Sequence, residues 1–155
     1  MAHIISVFKI RDVKIDFLLS LILSLIIYLI LKNGVLPCIV SDTISVICTI
    51  SATLLGFLIT AYALLLAFPK GGNMNLISQH PTYPSIFDCF MLTIYVHALL
   101  LITSLFGLLM DIHICNVFSE FYYYILIFFI CYSLVTLMRC LYLLYNLTRT
   151  VFNSN

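Results

Sequence analysis

Four long apolar runs, separated by short polar stretches, dominate the pattern of hydrophobic and polar positions along this chain. A helix that crosses a bilayer needs about 17 to 25 mainly apolar residues. The first run is the shortest, but apolar residues on both sides of it extend its apolar face. The strict apolar and polar alternation of membrane-barrel strands is absent. The charge-free windows are Phe17 to Leu31, Thr43 to Pro69, Cys89 to Met110 and Phe121 to Met138, the last continuing past Arg139 to Leu147.

These runs predict an all-α polytopic membrane protein with four transmembrane helices. The helices are predicted at about 15–32, 43–68, 87–110 and 120–146, with a loop at 69–85, in a single transmembrane domain covering residues 1–155. Composition agrees, because 64% of the residues are hydrophobic, 8% are charged and the mean hydropathy is +1.21. Soluble proteins are roughly half apolar and a quarter charged. A water-soluble globule is therefore excluded.

The basic residues in the connections predict which side of the membrane each end occupies. Short loops on the cytoplasmic side are enriched in lysine and arginine. The side opposite the termini receives Lys32, and its second connection carries Asp111 and Glu120 without a base. Both termini and the loop at 69–85 are therefore predicted to be cytoplasmic. The bases on that side are Lys9, Arg11, Lys14, Lys70 and Arg149.

Helix two carries a stripe of small residues that recurs every four positions. The stripe consists of Cys48, Ala52, Gly56 and Thr60. Small residues allow helix backbones to approach closely in lipid, where hydrophobic drive between helices is weak. The stripe predicts helix packing, either within one four-helix bundle or between subunits, and the sequence leaves both interpretations open.

A second, polar stripe follows helix three, with Thr93, His97 and Ser104 near one face. A histidine near the bilayer midplane is either a neutral, hydrogen-bonded packing residue or a titrating group in a water-filled path. The lack of an acidic residue at comparable depth in the other runs favours packing. Seven residues separate His97 from Ser104, so the two side chains lie about two turns apart and do not form a hydrogen-bonded catalytic pair.

Arg139 on helix four is grouped with this stripe because it is the one full charge well inside a run. Its position within about two turns of the cytoplasmic end favours snorkelling of the guanidinium to the interface. The alternative is an ion pair with a gating or inter-subunit role.

The loop at 69–85 is longer than a tight helical hairpin requires. Loops of this length in compact domains tend to be functional or mobile. We interpret it as a docking surface for a partner, with a plain flexible connector as the alternative. The candidate docking residues are Lys70, Gly71, Gly72, Gln79, His80 and Tyr83.

The sequence contains no pattern of a metal site, cofactor site or catalytic site. The six cysteines include no C-x-x-C pair, and no histidine and cysteine cluster has zinc spacing. A disulfide between Cys38 and Cys115, both in predicted outer connections, is chemically possible. The motifs of intramembrane proteases are also missing. We therefore predict a protein that is not an enzyme and binds no metal or cofactor.

One stretch of helix two resembles a known family. The segment SATLLGFLITAYALLLAFP, from Ser51 to Pro69, is followed by a polar loop predicted to be cytoplasmic. This layout resembles the small four-span subunits of bacterial anti-phage membrane systems, most closely the Kiwa A subunit family. The resemblance implies a homo-oligomeric, multi-pass protein of the bacterial inner membrane that senses phage-induced disturbance of membrane lipid. It further implies signalling to a soluble cytoplasmic DNA-binding partner, the Kiwa B subunit, without direct contact to nucleic acid.

Two other functional classes stay open at this stage. A pore-forming abortive-infection effector would line a water path with Thr93, His97 and Ser104 and would depolarise the cell. A colicin-type immunity protein is similar in layout, with four spans and cytoplasmic termini, and would bind the membrane helices of a toxin. A neighbouring toxin gene would favour the latter, whereas a neighbouring gene for a soluble DNA-binding protein would favour the sensor.

Overall fold

The computed structural model describes four helices and confirms the all-α class of the chain. The described residues are 10–32, 41–67, 83–109 and 117–153, and these ranges contain no strand. Each helix includes a span of 19 to 26 residues with mean hydropathy of 2.0 to 2.3, long and apolar enough to cross a membrane. The helices are α1 (Ile10–Lys32), α2 (Ser41–Ala67), α3 (Tyr83–Leu109) and α4 (Val117–Asn153).

Three of these helices extend four residues or more beyond their predicted bounds. The first begins at Ile10 instead of about residue 15. The third begins at Tyr83 instead of about residue 87, with Pro84 in its first turn. Proline is tolerated there because the amide groups of the first turn have no carbonyl partner within the helix. The fourth continues to Asn153, beyond the predicted end at about residue 146, and no glycine or proline interrupts this extension.

The helices pack in the order α1, α4, α3, α2. Extensive contacts join α1 to α4, α4 to α3, and α3 to α2. Within the described ranges, α1 does not make a comparable contact with α2, so the helices form an open layer and not a closed bundle. The two central helices are more buried than the two edge helices. Within an 18-residue window of each span, 39% of the residues are buried in α3 and 33% in α4, but 17% in α2 and 11% in α1. The edge helices therefore present most of their apolar side chains outward, where a bilayer would cover them.

Neighbouring helices run antiparallel. Asp16 near the start of α1 lies beside Arg139 near the end of α4, and Tyr28 near the end of α1 lies beside Tyr124 near the start of α4. The beginning of α1 and the end of α4 therefore share one end of the layer. Which side of a membrane that end faces stays a prediction from the charge pattern.

Two apolar clusters hold α2, α3 and α4 together. The near cluster, at the end shared by the start of α1 and the end of α4, has the buried residues Leu58, Ile86, Cys89, Phe90 and Cys140. The far cluster, at the opposite end, has Ile44, Leu100, Tyr122, Tyr123 and Leu126. Between the two clusters along the helices lie buried polar side chains, namely Ser51, Thr93, His97, Ser133 and Thr136.

Candidate functional site

The small-residue stripe of α2 lies on the outward face of the layer. Ala52, Gly56 and Thr60 are exposed, and Cys48 is half-buried. A Cβ atom added at Gly56 would meet nothing within 4 Å. Packing of the stripe inside one four-helix bundle is therefore wrong for Ala52, Gly56 and Thr60. Contact between subunits, the other interpretation, stays a prediction.

A different face of α2 packs against α3. Its buried members, Ile44, Ser51 and Leu58, recur every seven residues. The larger side chains Tyr62 and Leu65 continue this face into the near cluster. The seven-residue spacing was the sequence signal for this contact, because residues seven apart lie on the same side of a helix after two turns.

The hydroxyl groups of three exposed threonines of α2 are satisfied by their own helix. The Oγ1 atoms of Thr49, Thr53 and Thr60 donate to the backbone carbonyl oxygens four residues earlier, at 3.0, 2.8 and 2.9 Å. A polar group without a hydrogen-bond partner costs several kcal/mol in lipid, roughly as much as in other apolar media. These threonines therefore keep a small, closely approachable surface without leaving a donor unpaired.

The polar stripe of α3 points into the layer, since Thr93, His97 and Ser104 are all at most 1% exposed. The Thr93 hydroxyl donates to the Cys89 carbonyl at 2.7 Å and reaches the Thr136 carbonyl of α4 at 3.4 Å. The Ser104 hydroxyl donates to the Leu101 carbonyl at 2.9 Å.

His97 follows the same pattern. Its Nδ1 atom lies 2.9 Å from the Thr93 carbonyl oxygen. A carbonyl oxygen only accepts, so this contact places the hydrogen on Nδ1 and leaves Nε2 as the acceptor of the neutral ring. Among the described residues, no fully buried side-chain nitrogen or oxygen lacks a hydrogen-bond partner. The geometry is that of a packed helix face, with side chains filling the contacts of α3.

Arg139 does not join this stripe. Its guanidinium pairs with the carboxylate of Asp16 on α1, and the two side chains are 26% and 14% exposed. Arg139 therefore takes part in an ion pair, as the alternative predicted, but this pair lies within one chain and not between subunits. Snorkelling and a gating role stay predictions. Sequence reasoning missed Asp16 because it falls one position before the charge-free window that begins at Phe17. The missed signal was the four-residue spacing of Asp16, Ser20, Ser24 and Tyr28, which places them on one face of α1.

The contact between α1 and α4, here called the α1–α4 seam, is built from this ion pair, two serines and five aromatic rings. The hydroxyl of Ser20 donates to the carbonyl oxygens of Asp16 and Phe17 at 2.8 and 2.9 Å, and that of Ser24 donates to the Leu21 carbonyl at 2.9 Å. Both serines are fully buried, so the backbones approach closely there. The ring pairs, by centroid distance, are Phe17 with Phe128 at 5.4 Å, Phe17 with Tyr132 at 6.0 Å, and Tyr28 with Tyr124 at 5.4 Å.

The contact between α3 and α4 contains a glycine, Gly107, that packs beneath an aromatic ring. The Tyr122 ring lies against Gly107, and the Tyr122 hydroxyl donates to the Thr103 carbonyl at 3.1 Å. A Cβ atom at Gly107 would overlap the hydroxyl and the ring of Tyr122. Gly107 is therefore required for the close approach of this ring to the α3 backbone.

Several predicted residues lie outside the described part of the chain. Of the candidate docking residues, Lys70, Gly71, Gly72, Gln79 and His80 fall there, and for Tyr83 the structure describes the backbone as the start of α3. Cys38 and Cys115 also lie outside it. Among the described residues, no three His, Cys, Asp or Glu side chains come together as a candidate metal site.

Comparison of the chain with known protein families, with curated proteins and with solved structures finds no match. The resemblance to membrane subunits of anti-phage systems therefore rests on the segment Ser51–Pro69 and on the four-span layout.

Proposed function

We propose that this chain is the membrane-embedded subunit of a bacterial anti-phage defence complex. It would sense phage-induced perturbation of the inner membrane and signal to a soluble cytoplasmic DNA-binding partner. The four apolar helices support a multi-pass membrane protein. Sensing, self-assembly and the partner are the proposal, and they rest on the resemblance of α2 and on the surfaces described above.

The outward stripe of α2 is the observation that carries the proposal. Ala52, Gly56 and Thr60 face away from the other three helices, so their small size has no packing role within the described part of the chain. In lipid, such a surface allows a helix of another subunit to approach the backbone closely. This favours a homo-oligomer assembled through α2, as the resemblance implies.

An open layer of helices gives such an assembly a way to respond to the bilayer. The edge helices have the largest share of lipid-facing surface, and hydrophobic mismatch costs fractions of a kcal/mol per Å of thickness change. Thinning or tension would shift the edge helices and the contacts between subunits by small amounts. Packed interfaces convert small shifts into discrete rearrangements because they are bistable and not continuously deformable.

The signal would leave the membrane through the loop at 69–85, which connects α2 to α3. Movement of α2 relative to α3 would alter this loop directly. A partner docked there, through residues such as Lys70, Gln79 and His80, would perceive the rearrangement. The DNA-binding step then belongs to the partner and not to this chain.

A pore within one chain gains no support from this geometry. Thr93, His97 and Ser104, which would line it, are packed between helices and bonded to their own backbone. Measurement of the membrane potential after induced expression would test this alternative, because a pore-forming effector would depolarise the cells.

The oligomeric interface is tested by replacing Gly56 with Leu. The free space around Gly56 means that leucine fits within the subunit, and leucine is the better helix former. We expect Gly56→Leu to lower the oligomer mass in nanodiscs without loss of helix content. Val46→Leu, which enlarges another exposed position of α2, is the matched control and should leave the mass unchanged. An unchanged mass for Gly56→Leu would remove the interface.

The defence role is tested in cells. The chain is expressed with any soluble DNA-binding protein that a neighbouring gene encodes, and the efficiency of phage plating is measured. We expect protection that requires both proteins, co-purification of the pair, and loss of protection in Gly56→Leu. Protection by either protein alone, or its absence with both present, would contradict the proposed function.

A further inference from the structure

The helix α1 stands apart from the packing of the other three. Both apolar clusters, including the partly buried residues around them, consist of side chains from α2, α3 and α4. None of the described residues of α1 contributes to either cluster. The near and far clusters therefore define a three-helix unit whose core does not depend on α1.

The attachment of α1 to this unit is made to α4 and buries few side chains of α1. In its described part, the buried side chains are Ser20 and Ser24, which offer little surface. Their hydroxyl groups donate to carbonyls of α1 itself and not to α4. What joins α1 to α4 is therefore close backbone packing, the aromatic contacts of the α1–α4 seam and the Asp16–Arg139 pair.

Among the ion pairs between described side chains, the Asp16–Arg139 pair is the one that joins α1 to α4. It connects positions 123 residues apart, at the end of the layer where α1 starts and α4 ends. Both charges are mostly shielded, so their attraction is stronger than it would be between fully solvated groups. Separation of the pair would leave each charge at the edge of an apolar span without its partner, which is costly.

We propose that α1 is a separable helix, latched to a self-contained α2–α3–α4 unit by the Asp16–Arg139 ion pair. Opening of the latch frees α1 to move in the plane of the membrane while the three-helix unit stays assembled. The latch is a property of the fold alone. Its use as the step that responds to membrane perturbation rests on the proposed function.

Cross-linking at the far end of the seam tests the latch. In Tyr28→Cys/Tyr124→Cys, a short rigid bismaleimide joins α1 to α4, because the tyrosine rings are neighbours. In Tyr62→Cys/Phe87→Cys, the same reagent joins α2 to α3, where the ring centroids are 5.9 Å apart. After cleavage at methionine, the first link joins fragments 2–74 and 111–138, and the second joins 2–74 and 75–91. The parent chain with its native cysteines gives the background.

Each pair is measured in nanodiscs with and without Asp16→Asn. We expect Asp16→Asn to lower the α1–α4 link at least about fivefold, the factor that corresponds to about 1 kcal/mol. The α2–α3 link should not change. The charge swap Asp16→Arg/Arg139→Asp should restore the α1–α4 link, and Asp42→Asn, a change to an exposed carboxylate of α2, should leave both links intact.

Three results would overturn the proposal. An unchanged α1–α4 link in Asp16→Asn would show that the ion pair is not the latch. Parallel loss of both links would show that the four helices come apart as one unit, so that α1 is not separable. A charge swap that fails to restore the link would show that charge pairing is not the cause. Phage protection is not measured here, so failure of the latch is distinguishable from failure of the proposed function.

Discussion

At the scale of single residues, Gly56 and Gly107 occupy opposite environments although both lie within apolar membrane-spanning helices. Gly56 faces open space on α2, whereas Gly107 lies beneath the Tyr122 ring in the contact of α3 with α4. The same substitution therefore has different consequences at the two positions. The packing within one chain therefore requires a glycine at Gly107 and does not require one at Gly56.

We expect Gly107→Ala to lower the free energy of unfolding by about 1 to 3 kcal/mol, the usual cost of forcing extra volume into a packed contact. The added methyl would displace the Tyr122 ring and break its hydrogen bond to the Thr103 carbonyl. Gly56→Ala should leave stability unchanged or slightly raise it, because alanine is the better helix former. Unfolding in mixed micelles measures both, at a dilution where the chain is monomeric. Equal effects of the two substitutions would contradict the packing at Gly107.

Buried hydroxyl side chains have a common role in this layer. The hydroxyls of Ser20, Ser24, Ser104 and Thr136 all donate to carbonyls three or four residues earlier in their own helices. A serine or threonine of this kind combines small volume with an internally satisfied donor. It therefore permits close backbone approach in lipid without a specific partner on the neighbouring helix.

At the scale of the helices, α4 presents two different faces. One face, with Tyr122, Leu126, Thr136 and Cys140, packs against α3 through both apolar clusters and the polar layer between them. The other face carries the aromatic rings and Arg139 of the α1–α4 seam. The sequence shows one continuous apolar run, and the division between faces becomes visible only when the neighbours of α4 are known.

The contact of α3 with α4 predicts a native thiol cross-link. Cys89 and Cys140 are buried together in the near cluster. Oxidation with copper phenanthroline, which enters membranes, should join methionine-cleavage fragments 75–91 and 139–155 of the same chain. Cys140→Ala should abolish this link. A link of fragment 75–91 to another fragment at equal yield would contradict the packing.

At the scale of the whole molecule, the open order α1, α4, α3, α2 leaves two edges. A closed bundle would bury a stripe on each of four helices, whereas here the central pair is buried on two sides and the edge pair on one. The edge helix α2 carries its outward small-residue stripe, and the edge helix α1 is held by the ion pair. The two proposals of assembly and latching therefore belong to opposite edges of the layer.

The antiparallel order places the start of α1 and the end of α4 at one end of the molecule, and the charge pattern predicts that this end is cytoplasmic. A fluorescent protein fused after Asn155 should therefore fluoresce, and alkaline phosphatase fused there should be inactive. Phosphatase fused after residue 114, in the connection between α3 and α4, should be active. The reverse pattern would show that the basic residues do not set the orientation of this chain.

The sequence by itself determined the number of helices, their approximate bounds and the membrane class, because these depend on long runs of apolar residues that need no knowledge of neighbours. It also identified small and polar faces on α2 and α3, since helical spacing alone places residues on a common side. The sequence did not determine whether each face points toward a neighbouring helix or away from the layer. A small stripe on α2 is equally compatible with an inward and an outward orientation until α3 is seen packing on Ile44, Ser51 and Leu58.

Only the tertiary structure decided which residues meet. It turned the stripe with Gly56 outward, packed His97 inside, and paired Arg139 with Asp16 across 123 positions of sequence. The physical reason is that apolar patterning in a membrane chain reports contact with lipid more strongly than contact between helices. In lipid, helices associate through shape, small residues and a few polar pairs, and those contacts join distant parts of the chain.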